Sequence, residues 1–105
     1  MKRALQAILI AGYDMKRDVI NNVKKITIRE GHRDYSKGPV LIGCHLLDWA
    51  VMRTITHVQY MPLKTVSEEE WKADGFSSSE DMIVGLKKYY PTINLESPVT
   101  VIYWE

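Results

Sequence analysis

Lys24-Lys25-Ile26-Thr27-Ile28-Arg29 reads as a short β-strand, with Ile26 and Ile28 on one face and Lys25, Thr27 and Arg29 on the other. A hydroxyl flanked by two cations suits an anionic or carbonyl-bearing ligand. The cations hold charge, and Thr27 can donate, accept or attack. The same pattern also serves an ordinary solvent-facing strand edge, where Lys, Thr and Arg keep the edge unpaired. The rest of the chain has to separate the two readings.

Working outward, residues 4–10 read as a first core strand, and Gly12 breaks the run. Asp14 is placed to N-cap a short helix through Asn21 or Asn22, with Met15, Val19, Ile20 and Val23 on its apolar side. Residues 30–38 are polar, with Gly31 and Gly38, and read as a loop. A buried strand follows over residues 39–44, then a long strand over 49–60. Neither face of the long strand is purely apolar, which calls for a bulge or a barrel corner. Ser67 with Glu70 forms a capping box for a short helix carrying Trp71, ended by Gly75-Phe76. Ser79, followed by Glu80 and Asp81, opens a second helix with Met82, Ile83, Leu86 and Tyr89 or Tyr90 at helical spacing; Pro91 stops it. Residues 99–104 form a closing strand. The order β-α-β-β-β-α-α-β predicts an α+β fold, a small mixed β-barrel flanked by short helices, with the two terminal strands paired to seal it.

At 105 residues the chain predicts a single domain, and 46% hydrophobic residues argue against disorder. No apolar run approaches the ~20 residues of a membrane helix, and no small-residue cleavage site follows residues 4–10. Cys44 is the lone cysteine, so no internal disulfide is expected, which fits a reducing, cytoplasmic location. The formal net charge is only +1, so any nucleic-acid contact must come from a local patch. Such a patch exists: Lys16, Arg17, Lys24, Lys25, Arg29, Arg33 and Lys37 lie in the first third, whereas Glu68 to Glu70, Asp74, Glu80 and Asp81 lie in the second half. It reads either as a phosphate-facing surface or as one of two solvated faces of opposite sign.

Lys24-Lys25-Ile26-Thr27-Ile28-Arg29, followed by a loop and Lys37-Gly38-Pro39-Val40-Leu41, resembles the ASCH domain family. The Trp71 helix, Asp74-Gly75-Phe76 and the run Leu86-Lys87-Lys88-Tyr89-Tyr90-Pro91 extend the resemblance over roughly residues 14–105. It implies a PUA-like β-barrel, and it is strongest to the small bacterial N(4)-acetylcytidine amidohydrolases, which are single ASCH domains of this length. In those enzymes a lysine, a threonine three residues later and a glutamate before the second helix carry the chemistry. Carried over, these are Lys24, Thr27 and Asp74, with Thr27 as nucleophile. Lys24 activates its hydroxyl or holds the oxyanion, and Asp74 moves a proton or orients the ligand. Arg29 lines the same cleft. The resemblance implies a modified nucleoside or RNA as partner; no cofactor is expected, and a monomer is expected although the sequence does not fix the oligomeric state. Asp74 departs from the family's glutamate by one methylene, and Glu70 one turn earlier is an alternative carboxylate. Pro39 stands where many members carry aspartate.

Alternation adds its own condition. In an ideal strand Lys24 and Thr27 face opposite sides, so Lys24 joins Thr27 only by preceding the strand; otherwise Lys25 is the better cation. Lys25, Arg29, Tyr35 and Trp71 are the expected substrate- or RNA-binding residues, the two aromatics as stacking platforms. Trp49 could also stack a base, whereas Trp104 reads as core. His32, His45, His57 and Cys44 lack the spacing of a metal site, and none is expected. Three functions follow: an amidohydrolase, a non-catalytic RNA- or nucleotide-binding module using the same cleft, or an interaction domain with a vestigial pocket.

Overall fold

The computed structural model describes residues 6–10, 19–21, 23–44 and 49–105, the side chain of Cys44 excepted. Five strands are found: β1 (Gln6–Leu9), β2 (Ile26–Glu30), β3 (Gly38–Cys44), β4 (Trp49–Pro62) and β5 (Pro98–Trp104). Between β4 and β5 come a 3-10 turn (Leu63–Thr65) and two helices, α1 (Glu68–Ala73) and α2 (Ser79–Lys87). Among the described residues no helix is long and apolar enough to cross a membrane.

The strands form one curled half-barrel sheet in the order β1-β3-β4-β5-β2. β1 runs parallel to β3, and every other pair is antiparallel. The expected pairing of the terminal strands is therefore wrong. β5 lies between β4 and β2, and its hydrogen bonds are used by both. β1 and β2 are the two edges. A side chain, not a ladder, spans the seam between them: Arg29 Nη2 donates to the Leu9 carbonyl at 2.8 Å.

β5 is buried on both faces, which is why it reads as a continuous apolar run. Val99 and Val101 join Ile26, Ile28, Leu63, Met82, Leu86 and Ile93 in the core that carries α2. Ile102 and Trp104 join Ile8, Val40, Ile42, Trp49 and Ile55 in a second cluster. With Trp49 at 9% exposure and Trp104 at 1%, neither is free to stack a base. The bulge anticipated in β4 falls between Ile55 and His57, where the register against β5 shifts.

Local signals place the helices closely. Ser67 Oγ accepts from Glu70 N at 3.2 Å and Glu70 Oε1 accepts from Ser67 N at 2.9 Å, the reciprocal capping box. The N-cap of α2 is Ser78 rather than Ser79, its Oγ accepting from Asp81 N at 2.9 Å. The expected helix after Asp14 lies mostly outside the described residues. Val19 and Ile20 are helical, but only Val19 is buried; Ile20 is 41% and Val23 69% exposed.

Candidate active site

β2 begins at Ile26, so Lys24 and Lys25 precede it. Free of strand alternation, the chain turns Lys24 inward to 6% exposure while Lys25 faces solvent. Thr27 points away from the Ile26 and Ile28 face and is 5% exposed. Lys24, Thr27, Arg29 and Asp74 then line one cleft of about 480 Å³ at the seam between β1 and β2. Leu9 and Ile10 form one wall. Phe76, Leu86, Tyr89 and Tyr90 form the other, and Lys88 stands at the rim.

Asp74 is delivered by the way α1 ends. It is the C-cap, and Gly75 follows with φ 102°. Phe76 N–H donates to the Trp71 carbonyl and Gly75 N–H to the Lys72 carbonyl, both at 2.9 Å. This is the Schellman closure, which requires a left-handed residue at Gly75. The Asp-Gly-Phe run is thus a helix stop that leaves the Asp74 carboxylate facing β2. There it forms a buried ion pair with Lys24 Nζ. Burial pushes the Asp74 carboxyl above the usual aspartate range, against the opposing pull of Lys24, Arg29 and the Ile28 N–H.

The Thr27 hydroxyl lines the cleft and has no hydrogen-bond partner among the described residues. Such a hydroxyl beside a cation and a carboxyl is a usable nucleophile or donor. Arg29 reaches across the seam to Leu9 and acts on Asp74 through space.

Other expected site residues fall elsewhere. Lys25 is outside the lining of the cleft, because the alternation that would have placed it with Thr27 starts one residue later. Tyr35 packs against the core cluster of Trp49 and Trp104, with its hydroxyl donating to the Ala7 carbonyl at 2.8 Å. Trp71 is half-buried against the α2 core, its ring 5.8 Å from the Lys72 ammonium, and it does not line the cleft. Glu70 cannot stand in for Asp74. One oxygen closes the capping box and the other accepts from Tyr103 Oη. Burial alone would raise Glu70, but these bonds outweigh it and hold the carboxyl below its ordinary value. Of the candidate metal ligands, His45 lies outside the described residues, and no group of three ligands is found among the rest.

Phe76, Lys88, Tyr89 and Tyr90 were not assigned to the site from sequence. Lys88, Tyr89 and Tyr90 follow the helix turns whose Met82 and Leu86 are committed to the core, and their spacing alone reads as the apolar side and charged end of that helix. A second depression of about 370 Å³ is lined by Pro39, Met52, Arg53, Thr54 and Glu105. It holds no buried ionisable pair, and Thr54 and Glu105 meet there through their backbones at 3.0 and 2.9 Å. The buried ion pair of Lys24 and Asp74 therefore makes their cleft the candidate site. Comparison with protein-family models, curated proteins and solved structures gives no match.

Proposed function

We propose that this is a PUA-like domain of the ASCH type whose cleft removes the acyl group from N(4)-acetylcytidine or a related acylated nucleoside, free or within RNA. The observation that carries the reading is the meeting of Lys24, Thr27 and Asp74 in one cleft, although 50 residues separate the lysine from the carboxylate. In the proposed reaction Thr27 Oγ attacks the acyl carbonyl and its proton passes to the Lys24–Asp74 pair. The tetrahedral oxyanion is met by the cations of the cleft. The cytidine amine then leaves with the proton returned by that pair, and water hydrolyses the Thr27 ester. The base would lie against Phe76, Tyr89 and Tyr90.

One observation favours the non-catalytic binding module as a second reading. The Lys24 ammonium is engaged by Asp74, and among the described residues no side chain accepts the Thr27 proton. Incubation with N(4)-acetylcytidine, followed by chromatography for cytidine, separates the two. The hydrolase reading expects release that Thr27→Ala abolishes. Release at an unchanged rate from Thr27→Ala removes the nucleophile, and no release from folded protein leaves the binding module.

A further inference from the structure

The charge inside the cleft is larger than an uncharged nucleoside can use. Among the described residues of its lining, Lys24, Arg29 and Lys88 face a single carboxylate, Asp74, a formal excess of two positive charges. Lys24 is matched by Asp74. Arg29 and Lys88 make no ion pair among the described residues. Arg29 is satisfied only by a neutral carbonyl, and Lys88 acts on Asp81 through space without touching it. Two cations brought to one cleft with no carboxylate in contact with either repel each other and invite an anion.

Their placement relative to the aromatics narrows the anion. Tyr89 follows Lys88 directly, lines the same cleft, and is 61% exposed; Tyr90 and Phe76 continue that wall inward. Arg33, exposed on the β2–β3 loop, lies 6.0 Å from the centre of the Tyr90 ring. A flat aromatic ligand seated on this wall would carry any substituent at the outer end toward Lys88. A large exposed tyrosine flanked by cations is the arrangement that binds a base and its phosphate together.

From this geometry we infer that the cleft takes a phosphate-bearing pyrimidine nucleotide in preference to the bare nucleoside, with Lys88 at the rim as the phosphate contact. The inference rests on the proposed function for the identity of the base, but the preference for phosphate stands on the unpaired cations alone. The phosphate could belong to a free mononucleotide or to an RNA chain; both present the same chemistry to Lys88.

Equilibrium binding needs no turnover and tests the idea directly. Cytidine, cytidine 5′-monophosphate and a short single-stranded oligocytidylate are titrated into wild-type protein and Lys88→Ala, at 50 and 300 mM salt. The monophosphate should bind about tenfold more tightly than cytidine at low salt. That ratio should fall with salt and collapse in Lys88→Ala, an exposed position whose truncation leaves the core intact. Equal affinity for cytidine and its monophosphate in wild-type protein overturns the inference, as does a ratio that Lys88→Ala leaves unchanged. An oligocytidylate binding more tightly than the monophosphate supports the inference with RNA as the source, and weaker binding supports it with the free nucleotide. A preserved phosphate preference without any deacetylation defeats only the hydrolase reading.

Discussion

Replacing Lys24 by Met exposes the physics of the site most directly. The Lys24 and Asp74 side chains are 6% and 9% exposed and form an ion pair. Methionine keeps much of the lysine stem and removes the charge, leaving Asp74 a buried carboxylate with no cation against it. Removing one member of a buried pair costs about 3–5 kcal/mol, because the survivor stays desolvated. Unfolding entropy of about 2.1 cal/mol/K per residue over 105 residues makes that a fall in Tm of about 14–23 °C. The loss depends on pH. Burial already holds the Asp74 carboxyl above its ordinary value of 3.8, so the folded state binds this proton more tightly than the unfolded chain does. Stability therefore falls as pH rises from 3.8 through the folded value. Without Lys24 the folded value rises further, and the fall extends to higher pH. Below 3.8 the group is protonated in both states, and the deficit is smallest. Adding Asp74→Asn removes the stranded charge, so the double variant should be more stable at pH 7 than Lys24→Met alone. Thermal and urea unfolding followed by circular dichroism at pH 4 and pH 7 measure the wild type and both variants. A loss below about 1 kcal/mol, equal at both pH values, is what a solvated surface pair gives and would refute this reasoning.

Tyr103→Phe should cost about 1 kcal/mol in urea unfolding, because Glu70 loses its hydroxyl donor and α1 has no fully buried residue to hold it instead. Glu70 is held below its usual 4.5, so its network contributes above that pH and is lost as pH falls through the folded value; the variant should narrow toward wild type in acid, and a constant difference would count against the network. Thr100→Val should cost about 2–3 kcal/mol, since the buried Oγ1 donates to the Gly31 carbonyl at 2.7 Å and accepts from Arg33 N at 2.8 Å. Faster hydrogen exchange at the Arg33 amide is the local readout, and unchanged protection would disprove the link. Gly75→Ala should cost about 1–2 kcal/mol and Gly75→Asn less, because the position needs positive φ; equal losses in denaturant titrations would exclude backbone strain as the cause.

What could be read from sequence was what is decided locally. The capping box at Ser67 and Glu70 involves residues three apart, and β5 declares itself because both its faces are buried. The condition that Lys24 must precede its strand also came from alternation alone, and β2 starts at Ile26. The rest depends on pairings across the chain. β1 lies parallel to β3, and no residue of either segment encodes that choice against pairing with β5. Ile20 and Val23 sit at helical spacing and are exposed, since spacing names a face without saying what covers it. Tyr35 and Trp71 are near site residues in sequence but spend their rings on the core. The sequence gives no sign that Lys88 and Tyr89 line the cleft, because the end of a helix looks the same whether it borders solvent or a cleft.

The shorter carboxylate at position 74 bears on how a proton could move. α1 stops at Asp74, and the Schellman closure fixes its backbone, so a reach of one methylene less must be made up from the opposite side. Lysine has the longer, flexible stem, and the Lys24 ammonium closes the gap, also lying 3.5 Å from the Asp74 carbonyl. The pair therefore forms despite the short aspartate side chain. The aspartate makes no hydrogen bond to the Thr27 hydroxyl. Lys24 makes none either, so in the proposed reaction one member of the pair must move to take the proton from Thr27, and the lysine, with the longer stem, is the one that can. A glutamate at 74 would shorten that movement, so Asp74→Glu should raise deacetylation if the proton transfer limits the rate.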